Sequence, residues 1–538
     1  MVAVCFVLLL SKVYIEVRAT APFASNTLVF VKDGIASIRQ ADAMDAASFR
    51  LGDNLLSYNY DERASKLMKT KIEYFVYDED DITQNTNKRV QRVIRDCEKS
   101  MLYGGTYISP CFDVMSEQYV LDALKSHPWR VRTSINSDSS SMMIHIIPTP
   151  VIAMMGIGCS DIKKFNSCMN ILLGKGKKGK KRSVYDKPFT ALTNHSRFIN
   201  QDGGKYHVVL SIHYNLFNNH HSYKQPNIAK WYEPLENITL AHHYDAIECQ
   251  NIYKEYQRRA NSNSTTNIDT DPVQPHDYTP MFEARKPVVK YLFVLGIGID
   301  LSMPLQIPTT INRYIQSSSS TWGPTENESS GATLEREPAG GVELASTNNA
   351  SSIEESSNNN RYFIFYHASD REFRYNTTHY RMAPIYKIDT IQHPIFNSTY
   401  SSFGHGLDHT TWVEYISKSS FCLIMRGDTP HSHSLIRSIR AGCMPVVISD
   451  YYQRFASSFA NIMSMDEYCI FISEQEFISN PTQTLLKLRD LPKDLLQQKL
   501  NGLQFAQRVL FPDHPESLFV PAFLQQTLYS NRRKWWDN

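Results

Sequence analysis

The sequence predicts an α/β protein in which helices cover parallel sheets, and three observations carry that prediction. Short apolar runs alternate with helical segments along most of the chain, the pattern of strands joined by crossover helices. The pattern stops at a long polar stretch and then restarts. The 538 residues, 42% hydrophobic and 12% aromatic, supply two domain-sized cores at about 100–200 residues each, which excludes a disordered or fibrous chain. With 56 Lys plus Arg against 54 Asp plus Glu the formal charge is +2. There is no global field to hold nucleic acid or an anionic membrane, so basic chemistry is local and a nucleic-acid partner is not expected.

The N-terminal run MVAVCFVLLL stops at Ser11 and Lys12, well short of the roughly 20 apolar residues that span a bilayer. Residues 1–19 read as a signal peptide cleaved after Ala19, with Val17 and Ala19 in the small-residue positions, or as a short signal anchor. Residues 20–66 are weakly patterned and are expected to form a stem. An N-terminal domain over 67–310 opens with a strand at 71–77. A helix after Ser116 puts Tyr119, Val120, Ala123 and Leu124 on one face and stops at Pro128. Further strands fall at 143–147, 207–213 and 291–295. Asp78, Glu79 and Asp80 form a triplet of the metal-diphosphate kind, but it follows the first strand and reads as a solvated turn.

Two segments lie outside the cores. At 174–183, Lys175, Lys177, Lys178, Lys180, Lys181 and Arg182 stand among glycines. This reads as a solvated loop, with contact to an acidic glycan as the alternative. Residues 311–360 read as a linker, because from Ser317 to Asn360 the chain is dense in Ser, Asn, Glu and Gly and cannot bury enough surface to fold.

The C-terminal domain, 361–538, starts with a strand at 362–366, and its clearest unit runs from Phe421 to Ser449. Residues 421–425 are wholly apolar, as in a strand covered on both faces. Asp428 or Thr429 suits a helix cap and Pro430 the first helical position. Leu435, Ile436 and Ile439 continue the helix, Gly442 ends it, and Pro445 to Ile448 form the next strand. In such a βαβ unit a ligand lies beyond the carboxyl ends of the strands. Arg426 supplies charge there, Gly427 lets the backbone approach closely, and Thr429, His431, Ser432 and His433 offer hydroxyl and imidazole donors, a set suited to a diphosphate.

These residues carry a resemblance. SSFCL at 419–423, GDTP at 427–430 and AGCMPVVISD at 441–450 resemble the exostosin family of glycosyltransferases, glycosyltransferase family 47. The likeness extends through WVEY at 412–415, the strand at 362–366, Arg381, the segment 206–213 and the helix around Leu496, Leu500, Leu503 and Ala506. The resemblance implies a GT-B fold, two Rossmann-like domains facing across a cleft. It also implies an inverting transfer in the Golgi or ER lumen, in a type II membrane or secreted protein. A nucleotide-sugar donor, usually a UDP-sugar, would bind through Arg381, Arg426, Gly427, Asp428, Thr429, Ser432, His433 and Arg437. A glycan acceptor would come from the N-terminal side. No tightly bound cofactor is implied, and a divalent cation is not indicated. The base of an inverting transfer must reach the acceptor hydroxyl. His213, at a strand end, is the best candidate, and Asp408 and Glu414 are alternatives.

Several positions depart from the family. Ser434 stands where members usually carry a basic residue, Arg437 where they carry a carboxylate that accepts from the donor ribose, and Tyr206 and Tyr214 where Asp is common beside His207 and His213. His367-Ala368 replaces a small residue and Gly. A carboxylate-to-Arg reversal removes an acceptor and adds a phosphate-pairing fork. The alternative reading is therefore a silent exostosin-like module that binds glycan or forms a hetero-oligomer with an active transferase. Of nine cysteines, Cys5 lies in the leader, and Cys97 with Cys111 or Cys159 with Cys168 would close short loops. Seven Asn-x-Ser/Thr sites, at Asn194, Asn237, Asn263, Asn327, Asn349, Asn376 and Asn397, permit glycosylation.

Overall fold

The computed structural model describes residues 59–77, 87–102, 109–131, 143–148, 192, 204, 206–211, 237–242, 245, 251, 291–296, 303–316, 362–369, 400–404, 409–425 and 431–532. Tyr60–Asn538 form one compact unit holding two sheets. The first contains β1 (Tyr74–Val76), β2 (Arg130–Val131), β3 (Ile144–Ile147), β4 (His207–Ser211), β5 (Thr239–His242) and β6 (Tyr291–Val294), in the order β2-β1-β3-β4-β5-β6. The second contains β7 (Tyr362–Ser369), β8 (Tyr400–Gly404), β9 (Ser419–Met425), β10 (Met444–Ile448) and β11 (Ile470–Ile472), in the order β11-β10-β9-β7-β8. Every pairing in both is parallel. Each strand order reverses once, at β1/β3 and at β7/β9, and such a reversal opens a crevice at the carboxyl ends of the strands.

The strands expected at 71–77, 143–147, 207–213, 291–295, 362–366 and 421–425 correspond to β1, β3, β4, β6, β7 and β9. The short or polar strands β2, β5, β8 and β11 carry no run long enough to be read locally. The helices run from α1 (Tyr60–Lys69), α2 (Asn87–Leu102), α3 (Ser109–Ser126) and α4 (Thr309–Gln316) to α5 (His409–Ser417), α6 (Ser434–Arg440) and α7 (Tyr452–Ala456). They end with α8 (Glu474–Ser479), α9 (Pro481–Arg489), α10 (Lys493–Leu510) and α11 (Phe519–Arg532). Helix α3 stops before Pro128 as expected but starts seven residues ahead of Ser116, where a disulfide from Cys111 to Cys97 ties it to α2.

Two expected connectors end in packed helix. In the stretch read as a stem, α1 buries Ala64 and Leu67, lays Tyr60 5.2 Å from Phe505 and pairs Arg63 with Glu467 at 2.6 Å. The first residues assigned to the linker belong to α4, whose Ile311 and Ile315 are buried and whose Tyr314 meets Phe363 and Phe421 edge-on. Both helices are short and draw their apolar partner surface from distant chain, so local pattern underrates them. The stretch 317–360, the loop 174–183 and the Asp78–Asp80 triplet lie outside the described residues, as do residues 1–58.

The two sheets are tied together. Helix α11 packs on β5 and β6 of the first sheet, and Phe459 donates its N–H to Val294 O at 3.0 Å. The Tyr119 hydroxyl of α3 accepts from the Asp513 N–H at 2.9 Å, and the Asp513 carboxylate takes two bonds from Arg440, at 3.0 and 2.5 Å. Burial works to raise the Asp513 carboxyl, but the hydrogen bonds from Arg440 and Tyr119 outweigh it and hold the group below the usual carboxylate range.

Candidate functional site at the carboxyl edge of the second sheet

Strand β9 is buried along all seven residues and β10 along all five, so the unit they form is anchored by apolar burial on both faces. They pair from Phe421↔Met444 to Met425↔Ile448, and Cys422 is bridged to Cys443, a connection the sequence did not reveal. The connecting helix α6 buries Leu435, Ile436 and Ile439.

The far end of α6 is gripped tightly. Gly442, at φ +69°, occupies the left-handed region, and a Cβ there would lie 2.7 Å from Pro308 Cα and 2.9 Å from Gln306 O. Both the dihedral and the close approach demand glycine. The Gln507 amide donates to Ile439 O at 2.7 Å and to Gln306 O at 2.8 Å, and Arg440, 3% exposed, donates to Met303 O at 2.6 Å.

The near end differs from expectation. Helix α6 begins at Ser434, not at Pro430, and the side chain of His433, at the N-cap position, does not cap the helix. The Ser434 N–H donates instead to Ser432 Oγ at 3.3 Å. The reason lies in α7. The Tyr452 hydroxyl donates to Ser432 O at 2.8 Å and the His431 ring rests 5.1 Å from Phe455, which holds 431–432 out of helical register. Tyr452 is fully buried, and burial pushes its phenol far above its ordinary pKa, so it serves as a fixed donor.

Helix α7 also reaches the first sheet. The Asp245 N–H, just past β5, donates to Phe455 O at 2.7 Å, and Gly296, just past β6 at φ +108°, sits where a Cβ would come within 3.0 Å of Ser458 Oγ. The chain beyond the carboxyl end of β5 thus meets the element that pins Ser432, and the chain beyond β6 meets Ser458 just after it.

Of the sequence-predicted site residues, Ser432, His433 and Arg437 are described, and all three lie between β9 and β10. Ser432 is half-buried and His433 exposed. Arg437 places its guanidinium carbon 5.3 Å from the centre of the Trp412 ring on α5. His213, Arg381, Arg426, Gly427, Asp428, Thr429, Asp408 and Tyr214 lie outside the described residues. Glu414, an alternative base, is exposed and pairs with Lys418, just past the end of α5, at 2.6 Å, which makes it a surface ion pair. Tyr206 precedes β4, at the amino end of that strand, where its carbonyl accepts from the His145 N–H at 2.9 Å. A carboxylate at 206 would stand away from the ligand edge. His207 is a core residue, with Nε2 2.6 Å from the Tyr77 hydroxyl and its ring stacked 4.7 Å from His145.

Among the described residues no cluster of His, Cys, Asp and Glu could hold a metal ion, and no helix is long and apolar enough to cross a membrane.

Residues 326–487, from ahead of β7 into α9, match the Exostosin GT47 domain. A probable glucuronosyltransferase of Oryza sativa subsp. japonica is 28% identical over 134 residues, 20% of this chain and 29% of that protein. An exostosin-1 homolog of Caenorhabditis elegans is 29% identical over 94 residues, 18% and 24% respectively. A probable beta-1,4-xylosyltransferase of Arabidopsis thaliana is 29% identical over 126 residues, 19% and 30%. The chain spans less than a third of the length of these relatives. The matched segment, 326–487, contains the buried β9–α6–β10 unit, so that part of the chain is similar to the exostosin GT47 domain.

Proposed function

We propose that the protein is an inverting glycosyltransferase of GT-B type that moves a sugar from a UDP-sugar to a glycan acceptor in the secretory pathway. One observation carries the reading. The crevice at the β7/β9 reversal, the expected place for a ligand in a sheet of this order, lies at the carboxyl end of β9, inside the GT47 match. Arg381, Arg426, Gly427, Asp428, Thr429, Ser432, His433 and Arg437 are the proposed donor contacts. Backbone N–H groups and arginine would stabilise the departing diphosphate. His213 is the proposed base, taking the acceptor proton as the hydroxyl oxygen attacks the anomeric carbon and the diphosphate leaves. The Cys97–Cys111 and Cys422–Cys443 bridges support an oxidising lumen.

The relatives are named for glucuronosyl and xylosyl transfer, so UDP-glucuronate and UDP-xylose head the donor panel. A bound donor stabilises by about 2.7 kcal/mol at a hundredfold excess over Kd. UDP or a UDP-sugar is therefore expected to raise the melting temperature by several degrees, and Gly427→Trp to abolish the rise. No rise with any nucleotide would sink the donor reading. A second reading, a silent exostosin-like module that binds glycan or a partner transferase, is favoured by Arg437, an arginine packed on Trp412 where a carboxylate is expected.

A further inference from the structure

The Arg437–Trp412 pair brackets the strand reversal of the second sheet. Strands β8 to β9 and β9 to β10 step the same way along the sheet, so right-handed crossovers put α5 and α6 on one face. Both helices run back from the carboxyl edge, and Trp412 and Arg437 are each the fourth residue of their helix, one turn in from that edge. Trp412 is 9% exposed and meets Phe365 of β7 edge-on at 6.0 Å, so its ring is fixed against the sheet at the β7/β9 boundary. Arg437 then lies over that ring at 5.3 Å.

The chemistry of this contact has a direction. An indole ring attracts a guanidinium through its quadrupole and limits its rotamers, while N–H donors of the fork can still meet an anion. A cation so placed on an apolar ring is weakly hydrated, and an anion arriving in the crevice gains more from it than from a solvated lysine. A carboxylate at this position would repel the same anion.

We propose that Trp412 is a positioning residue that presents Arg437 to the anionic part of the ligand in the β7/β9 crevice. The inference deepens the donor reading and rests on it. The anion is either the donor diphosphate or a carboxylate on the transferred sugar, since both are recognised by the same fork of N–H donors.

Calorimetric titration of the full chain with UDP, UDP-glucose and UDP-glucuronate tests it. Arg437→Gln is expected to weaken binding by about tenfold or more, the loss of a charge-assisted pair. Trp412→Leu is expected to weaken it by about threefold to tenfold, Trp412→Phe by less, and the Trp412→Leu/Arg437→Gln double variant no more than Arg437→Gln alone. Equal loss for all three nucleotides assigns the anion to the diphosphate, and loss confined to UDP-glucuronate assigns it to the sugar carboxylate. Should Trp412→Leu fail to fold, Trp412→Phe and Trp412→Tyr carry the test through their graded ring quadrupoles. Wild-type binding that survives Arg437→Gln unchanged overturns the pair as a ligand device and leaves the donor reading standing. Loss in Arg437→Gln with none in any Trp412 variant overturns the positioning role. A wild type that binds none of the three removes the donor reading and this inference together.

Discussion

The two sheets share an order, with one reversal beside the first strand of each, yet they fill their interiors differently. Strands β9 and β10 are buried throughout, almost wholly apolar, and cross-linked by Cys422–Cys443. In the first sheet, β3 and β4 carry His145 and His207 into the core at 3% and 0% exposure. There a layer of Phe75, Tyr77, His145 and His207 rings lies on one face, joined by the Tyr77–His207 hydrogen bond. An apolar interior tolerates little change in shape, because its contacts are many and individually small. A polar interior is more sensitive to the loss of single atoms, because an unsatisfied buried group costs its full desolvation.

The difference can be broken at its tightest point. Gly442→Ala adds a Cβ that meets the backbone at Pro308 and Gln306 and imposes a left-handed residue, so a loss of about 3–5 kcal/mol is expected in denaturant unfolding. Neither contact is the end of a flexible side chain, which leaves little room for relaxation.

A smaller change sharpens the contrast. Tyr77→Phe keeps the ring but removes the hydroxyl that stands 2.6 Å from His207 Nε2, and should cost about 1–2 kcal/mol. Its nucleotide response should stay as in wild type, because Tyr77 belongs to the first sheet. A shift in UDP affinity equal to that of Arg437→Gln would contradict the division of labour between the sheets.

The smallest effect is expected at the tie between them. The Asp513 carboxyl is held below its unfolded value of about 3.9. Its contribution is therefore fully present above that value and is lost as pH falls through the lower folded value. Asp513 is 37% exposed, so solvent screens the pair and Asp513→Asn should cost about 1 kcal/mol or less at pH 7. Melting curves of wild type and variant should converge once pH has fallen below the folded value. A gap that persists there would show that the Asp513→Asn change disturbs packing and not charge.

Legibility followed the same contrast. The unit from Phe421 to Ile448 was readable because both-face burial writes itself as unbroken apolar runs, and Gly442 marks its own left-handed turn. His207 was readable as part of a strand but not as a core residue, since only packing distinguishes a buried imidazole from one facing a cleft. Local rules place the start of α6 four residues early, because Pro430 satisfies the rule for a first helical position. The competing bond from Tyr452 to Ser432 comes from twenty residues away. Helices α1 and α4 are not legible locally because their apolar partners, Phe505 and Phe421 among them, lie far along the chain.

The sequence by itself determined the α/β class, most of the longer strands, the βαβ unit with its glycine stop and the likeness to exostosins, because periodicity, turn chemistry and motif spacing are local properties. Tertiary structure alone decided the strand orders, the Cys422–Cys443 bridge, the docking of α1 and α11, and the meeting of Arg437 with Trp412. Each of those joins residues from separate elements, and which elements become neighbours is set by how the apolar faces of the whole chain are buried at once.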